Sequence, residues 1–363
     1  MIISSCRIFR YSLSLVAPLT LAGRMMRERG GLLIRIGSDS GVSGWGDVAP
    51  LPGFSRESIE EAEMELIAWV RRLQNVGFDP RGDDLESWLG DESAVLALPS
   101  ARFGLETALV SLSRQIEGKT TAELGFFEGG VPVNGLLAGP REQVLGDARM
   151  LRDEGYRAVK LKVGTRSVVK DVELTREVRA IIGDGVELRL DANRSWSLEQ
   201  AMEFGRDVEA TGVEYIEEPL HDSALLRELF DATGIPVALD ESLLELRPDD
   251  LEERPEVGAV VLKPTLLGGI AKAREWVTKA LDLNVRPIIS SCFESGVGLL
   301  ALAALAWSST GDAVPAGLDT YRWLGTDVVE PRIPFRSGAI EWTDAMAQSH
   351  KIDGSRLSGR RHA

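Results

Sequence analysis

Residues 158–264 decide the fold. They hold five short apolar segments: AVKLKVG (158–164), LRLDAN (188–193), YIEEP (215–219), VALDES (237–242) and VVLKP (260–264). Each carries charge at or near its end: Lys160 and Lys162, then Asp191, Glu217, Asp240 and Lys263. The steps from Lys160 through Asp191, Glu217 and Asp240 to Lys263 are 31, 26, 23 and 23 residues. Each step is the length of one strand, one helix and two short loops. Runs rich in Val, Leu and Ile, bounded by Gly, Pro or Asn, read as strands buried on both faces and followed by a crossover helix. Repeating that unit gives a parallel sheet with right-handed crossovers. Charges at the C-terminal ends of successive strands fit an α/β fold, a (β/α)8 TIM-like barrel whose mouth is the active site.

Working outward, VPVNGL (131–136) reads as the first barrel strand and 141–154 as its helix. RPIIS (286–290) reads as strand seven, with an Ala/Leu-rich helix from Gly296, and 313–317 as a short strand eight. Ahead of the barrel, residues 1–18 read as a long strand. Residues 31–50 read as a hairpin, 32–36 against 42–48 around the turn SDSG. A helix is predicted from Ser55 as N-cap, burying Ile59, Met64, Ile67, Ala68 and Val70, and a second over 99–117. The expected organisation is an α+β capping domain over 1–125, a barrel over 126–325 and a tail over 326–363 that returns to the capping domain. The last ten residues, GSRLSGRRHA, are polar and basic and are expected to be disordered. Residues 20–31, TLAGRMMRERGG, read as a Gly-flanked basic loop. It is either a solvated turn or a mobile flap whose Arg24, Arg27 and Arg29 face an anionic substrate.

Composition narrows the function. The chain of 363 residues has a formal net charge of −15, which argues against nucleic acid or an anionic membrane surface as partner. Its longest apolar run, 297–307, is well short of the ~20 residues that span a bilayer. Residues 11–23 imitate the apolar core of a signal peptide, with Arg7 and Arg10 ahead of them. Loose alternation through 7–13 and a second strand behind favour a strand instead. Two cysteines, Cys6 and Cys292, give no disulfide framework and suit a reducing cytoplasm.

Three acids at consecutive strand ends carry the chemistry. Asp191, Glu217 and Asp240 converging at one mouth would repel unless a cation sat among them. Oxygen donors without Cys or His suit Mg2+, with Mn2+ as the alternative. The rival reading is a set of helix N-caps. In Glu217-Glu218 strand alternation lets one side chain face inward, and Glu217 is the choice. Lys160 and Lys162, two apart on one strand, share a face, and lysine is rarely buried without a partner. A dication and a second ammonium would leave one of them a free amine able to act as base. Lys263 ends strand six, opposite Lys162 in an eight-strand ring. A substrate between them meets one ammonium on each face, which suits removal of a proton α to a carboxylate. Ser290 and Ser291 end strand seven and either hydrogen-bond a substrate carboxylate or cap the next helix. The glycine-containing turn KPTLLGG (263–269) lacks the spacing of a nucleotide loop.

The set KLKVG, LDANRSW, YIEEPL, ALDES, LKPTLLGG and SSCFESGVGL resembles the enolase superfamily, in its muconate-lactonizing-enzyme-like group. The likeness covers nearly the whole chain, including GWGDVAPLPGFSRES in the first domain. It implies Mg2+ on Asp191, Glu217 and Asp240, and catalysis by Lys162 and Lys263 with Lys160 assisting. It also implies a small dicarboxylate as substrate, met by Asn193, Ser290, Ser291 and Gly317. The implied reaction is syn dehydration of a hydroxycyclohexadiene carboxylate to an aromatic product. Racemisation of N-acylamino acids or epimerisation of dipeptides by the same two lysines is the alternative. A non-catalytic barrel that binds an acidic metabolite is the reading outside enzymes, and it would have no use for opposed lysines.

Overall fold

The computed structural model describes residues 1–21, 23–77, 97–117, 130–341 and 351–362. The expected boundary at 125/126 lies outside the described residues.

The first sheet is antiparallel. β1 (Ile3–Leu21) and β2 (Arg24–Ser38) form one long hairpin, β3 (Ser43–Val48) follows on β2, and the C-terminal strand Leu357–His362 lies on the free side of β1. Two expectations are corrected here. The C-terminal residues 357–362 are a paired strand, not a disordered tail. Residues 20–31 are not a loop either. Thr20 and Leu21 end β1 and pair with Met25 and Arg24, and residues 24–31 belong to β2, whose pairing runs on to Arg29 against Leu13.

The centre of β2 is buried on both faces, so its sequence LLIRI does not alternate. Ile34 and Ile36 meet α1 (Ile59–Leu73) and α2 (Pro99–Glu117) through Leu66, Val70, Leu105 and Leu109. Leu33, with Tyr11 and Leu13, joins the core that runs into the barrel. β3 approaches α2 so closely that a Cβ on Gly46 would fall onto the Gly104 carbonyl oxygen. The cap of α1 is Ser58, not Ser55. Ser58 Oγ accepts from Glu61 N, and the Glu61 carboxylate accepts from Ser58 N, a capping box. Ser55 closes the preceding turn by accepting from Leu51 N. The helix turns Ala62, Leu66, Trp69, Val70 and Leu73 inward, which leaves Met64 64% exposed, against expectation.

The barrel runs β4 (Val131–Pro132), β5 (Asn134–Leu137), α3 (Arg141–Asp153), β6 (Ala158–Lys162), α4 (Val168–Ile182), β7 (Glu187–Asp191), α5 (Leu198–Val208), β8 (Val213–Glu217), α6 (Leu226–Thr233), β9 (Val237–Leu239), β10 (Val257–Leu262), α7 (Pro264–Leu267), α8 (Ile270–Asp282), β11 (Arg286–Ile289) and α9 (Gly296–Thr310). β5 to β11 form one parallel sheet of seven strands in sequence order. The expected eighth strand shrinks to Ala316 and Gly317. Ala316 bridges Val133 and Gly317 bridges Ser290, so two residues close the ring. Pro315 has no N–H to donate to a longer ladder.

Register sets the layers inside the ring. Lys160 lies level with Arg189 and Tyr215, and Lys162 with Asp191, Glu217 and Ala238. Tyr215, Ala238, Ala259, Val261 and Ile288 pack together as the apolar plug. Arg189, fully buried, bonds Glu214, Glu187, the Asn134 amide and the Pro315 carbonyl. Charge is therefore neutralised deep in the barrel, and the unspent groups face the mouth.

Candidate active site

The five charged strand ends come together. Lys160 Nζ lies 3.0 Å from Glu217 Oε2 and 3.2 Å from Asp191 Oδ2. Lys162 Nζ donates to Asp191 Oδ2 at 2.6 Å and to Asn193 Oδ1 at 2.7 Å. Lys263 Nζ donates to Asp240 Oδ2. Glu217 faces this cluster and Glu218 does not, as alternation required. Asp191, Glu217 and Asp240 are all buried, and the lysine side chains differ in exposure: 13% for Lys160, 17% for Lys263 and 32% for Lys162.

Each shift in proton affinity has a visible cause. Burial alone would push the Asp191 carboxyl up, but Lys162 and Lys160 overcome it and hold it well below the usual carboxylate range. Burial and the neighbouring Asp191 push Glu217 up to about 8, against the pull of Lys160. Burial works against the Lys160 and Lys263 ammonium groups. Glu217 and Asp191 for the first, and Asp240 for the second, hold them above the usual lysine value. These two lysines are held as cations; of the dilysine strand, Lys160 is therefore not the free amine that the sequence allowed at either position.

The donor set was tested against a divalent cation. Each carboxylate is turned to a lysine. In this arrangement no group of three His, Cys, Asp or Glu among the described residues is gathered closely enough to hold an ion. The chemistry of the set nevertheless fits one. Asp191, Glu217 and Asp240 are buried hard-oxygen donors on three adjacent strands, and burial, with Asp191 beside it, pushes Glu217 up despite the lysines. Beside Asp240, Glu241 Oε2 is buried with no hydrogen-bond partner. The mouth holds more acceptor capacity than the lysines satisfy.

The predicted substrate contacts divide. Asn193 reaches the mouth from a strained turn, at φ 45°, and its amide bonds Lys162 and Glu241. Ser290 Oγ donates to the Gly317 carbonyl at 3.1 Å and Ser291 Oγ to the same oxygen at 3.4 Å. Ser291 also meets Thr320. These serines and Gly317 thus fasten the closing segment to strand seven. Neither serine caps α9, whose N-cap is Ser295. Arg24 and Arg27 are exposed on the hairpin, and Arg29 is fully buried in contact with backbone carbonyls, not facing the mouth.

Sequence reasoning missed several contributors. Glu218, at φ 40°, accepts from Asp240 N at 2.8 Å, Ser242 N at 2.7 Å, Ser242 Oγ at 2.9 Å and Arg194 Nε at 3.0 Å. It ties the loop after β7 to the loop after β9. Phe54 comes from the first sheet unit and lines, with Gly53, Leu244, Leu266 and Leu267, a cavity of about 210 Å3 beside Asp240 and Lys263. Leu19 and Leu21 of the hairpin, with Leu51, Phe293 and Trp323, extend that apolar wall. Nothing in the local sequence marked the role of Phe54, the bonds of Glu218 or the Arg29 contacts.

A closed parallel barrel with a mouth of lysines and carboxylates, covered by an α+β unit, defines the class: a barrel enzyme of enolase type. The family model described as Enolase C-terminal domain-like matches residues 143–347, and that described as MenC, N-terminal domain matches residues 3–112. The o-succinylbenzoate synthase of Haemophilus influenzae is 33% identical over 320 residues, 87% of this chain and 89% of that protein. That of Yersinia pseudotuberculosis is 34% identical over 328 residues, 89% of this chain and 92% of that protein. The chain belongs to the enolase superfamily and, within it, to the o-succinylbenzoate synthase family. Among solved structures, the L-Ala-D/L-Glu epimerase from Bacillus subtilis superposes with a TM-score of 0.82 at 25% identity, over 99% of this chain and 100% of that one. The N-succinyl Arg/Lys racemase from Bacillus cereus gives 0.82 at 18% identity, over 100% of both chains, a likeness of fold. Among the described residues no helix is long and apolar enough to cross a membrane.

Proposed function

We propose that this enzyme catalyses the syn dehydration of 2-succinyl-6-hydroxy-2,4-cyclohexadiene-1-carboxylate to 2-succinylbenzoate, with Lys162 as its one acid–base group. The observation that carries the division of roles is the unequal setting of the three lysines. Lys263 and Lys160 are the more enclosed, each against buried carboxylates, whereas Lys162 is the most exposed of the three and divides its ammonium between Asp191 and a neutral amide, Asn193.

Lys162, as the free amine, takes the proton from the carbon bearing the carboxylate. The electron pair of that C–H bond forms the new ring double bond as the C–O bond breaks. Lys162 returns the proton to the departing hydroxyl, which leaves as water, and the amine is restored. Lys263 remains an ammonium and stabilises negative charge building on the opposite face. Lys160 holds a substrate carboxylate and tunes Lys162 through Asp191, which both lysines touch. Asp191, Glu217 and Asp240 would hold Mg2+, with Mn2+ as substitute, and the dication would stabilise the negative charge developing on the substrate carboxylate. The succinyl arm and ring lie against the Phe54–Leu266 wall, which excludes water. The two cysteines among these residues, Cys6 and Cys292, are free and buried, which suits work in the cytoplasm.

The test is a dehydration assay that follows the rise of aromatic absorbance. Lys162→Ala removes essentially all turnover, because each acid–base role is worth ~10²–10⁴-fold and this residue serves two. Lys263→Arg keeps the charge and retains measurable dehydration, at a loss set by guanidinium shape. A two-base epimerase behaves differently, since arginine cannot serve as base on its face. Wild-type α-deuterium exchange with both enantiomers of an N-succinylamino acid, faster than dehydration of the cyclohexadiene acid, would overturn the assignment.

A further inference from the structure

Arg29 is fully buried, yet no carboxylate is among its hydrogen-bond partners. Its guanidinium is spent on five backbone carbonyls. Nη1 donates to Gly30 O at 2.7 Å and Pro50 O at 2.9 Å. Nη2 donates to Ala49 O at 2.5 Å and Cys292 O at 3.2 Å. Nε donates to Phe293 O at 3.2 Å. Ala49 and Pro50 lead into the turn that presents Gly53 and Phe54. Cys292 and Phe293 belong to the turn after strand seven of the barrel. These turns form two sides of the apolar wall beside Lys263. One guanidinium, rooted in the first sheet at β2, therefore fixes the separation of two loops from different parts of the fold. The planar five-donor fork is the one side chain that can serve carbonyls on both loops at once.

Two further features support a local role at the mouth. Phe293 sits at φ 60°, a conformation that a non-glycine residue keeps only when its surroundings hold it. The Arg29 cation also lies near two buried acids, Asp47 and Glu294. Asp47 accepts from Ser295 N and Oγ, and Glu294 accepts from Cys292 N and Thr265 Oγ1. Asp47 thereby holds the 292–295 turn from the covering unit, and Glu294, within the turn, braces it internally and ties it to Thr265.

We propose that Arg29 is a positioning residue for the reaction: it sets the width of the cavity beside Lys263 and so the fit of the substrate's apolar ring and succinyl arm. It touches no reacting atom. The inference rests on the dehydratase reading, because it takes that cavity as the place of the substrate. Binding energy is realised only when the wall is in place before the substrate arrives. Loosening the clamp therefore weakens binding more than it slows proton transfer by Lys162, which stands on the opposite side of the ring.

The experiment compares wild type, Arg29→Lys and Arg29→Met. Each is assayed for dehydration, for affinity toward the product 2-succinylbenzoate by calorimetry, and for amide hydrogen exchange. Arg29→Lys keeps the charge near Asp47 and Glu294 and is the variant designed to fold. An ammonium offers three donors to five carbonyls and cannot span both loops. The expected result is a rise in KM and in product Kd of at least 10-fold, with kcat within about 3-fold of wild type. Exchange should rise in 49–55 and 291–295 but not in the strands around Lys162. Arg29→Met should show the same pattern more strongly. Unchanged KM and Kd in folded Arg29→Lys overturn the proposal, as does an equal loss in kcat and KM. Failure of both variants to fold also overturns it, because Arg29 then serves the whole fold. Wild type that binds and dehydrates the cyclohexadiene acid shows the underlying reading to be sound whatever these variants do. Wild type that does neither refutes that reading instead.

Discussion

Replacing Glu218 tests how the mouth is held. This carboxylate is 1% exposed and accepts from four donors on two loops: two backbone amides, one hydroxyl and one guanidinium. Glu218→Gln keeps an oxygen for the amides of Asp240 and Ser242. The Ser242 hydroxyl can rotate to accept from the new amide, but Arg194 is left facing a donor. The loss is one bond between charged groups, about 1.5–3 kcal/mol. Glu218→Ala also strands the two amides and the buried end of Arg194, and removal of one member of a buried pair costs about 3–5 kcal/mol. Urea unfolding followed by circular dichroism reads the difference as a fall in midpoint at constant slope. Arg194→Met supplies the control. Combined with Glu218→Gln it should cost clearly less than the sum of the two single changes, a coupling of about 0.5–3 kcal/mol. Dehydration should fall in Glu218→Ala even where folding is complete, because Asp240 loses the bond that orients its backbone, and should fall less in Glu218→Gln, which keeps that bond. A Glu218→Ala protein within about 0.5 kcal/mol of wild type, the scatter of ordinary surface changes, would refute the reasoning. Strict additivity with Arg194→Met would refute it too.

Three further outcomes are expected. Burial raises the Asp47 carboxyl, despite its bonds from Ser295 and Tyr11, so the folded state binds more protons than the unfolded one above the usual aspartate value near 4. That component lowers stability as pH rises from about 4 to the native value, and Asp47→Asn lacks it. The stability of Asp47→Asn relative to wild type should therefore improve over that rise, as urea midpoints across pH will show; a flat or falling difference contradicts the sign. Gly317→Ala would set a Cβ 2.6 Å from Ser290 Oγ and 3.0 Å from its Cβ at the ring closure, and overpacking of this kind costs about 1–3 kcal/mol. An unchanged melting midpoint would show that the closing segment can shift freely. Asp191→Asn should leave the barrel folded but lose Mn2+ binding measured by electron paramagnetic resonance, and lose turnover with it. Wild-type affinity for Mn2+ in that variant, or full wild-type activity in EDTA, would contradict the assignment of the ligands.

The barrel was legible because parallel strands buried on both faces leave uninterrupted apolar runs, and the step between Asp191, Glu217, Asp240 and Lys263 is set by strand plus helix. The gathering of Lys160, Lys162 and Lys263 with those acids followed from the same register. What stayed hidden depends on contacts with no local trace. Residues 20–31 read as a loop because Gly30, Gly31 and three arginines obscure the alternation, while the pairing that makes them a strand comes from β1. Residues 357–362 pair only because β1 offers them an edge. Arg29 read as part of either a solvated turn or a flap facing an anion, because basic residues between glycines allow both. The carbonyls it meets belong to residues 20 and 264 positions away, and carbonyls leave no mark in a sequence. Glu218 was set aside by alternation, which is correct for a regular strand. Its positive φ turns it instead into the gap between two loops.

The covering unit and the substrate compete for one resource. In a βα barrel the N-termini of the crossover helices point to the mouth, and their free N–H groups attract anions. Here the enzyme's own acids take the last two of these ends. Glu106 of α2 accepts from Ile270 N and Ala271 N at the start of α8. Asp47 of β3 accepts from Ser295 N, and Asp327 from Gly296 N, at the start of α9. Two of these three acids come from the covering unit, so the same polarity that would draw a dicarboxylate seats the cover on the barrel. Those two ends are thereby closed to a substrate carboxylate, which on the proposed reading meets Lys160, Lys162 and Lys263 and the cation their neighbouring acids would hold. On that reading these two helix ends cannot draw the substrate away from the reacting carbon, and binding is favoured where the proton moves.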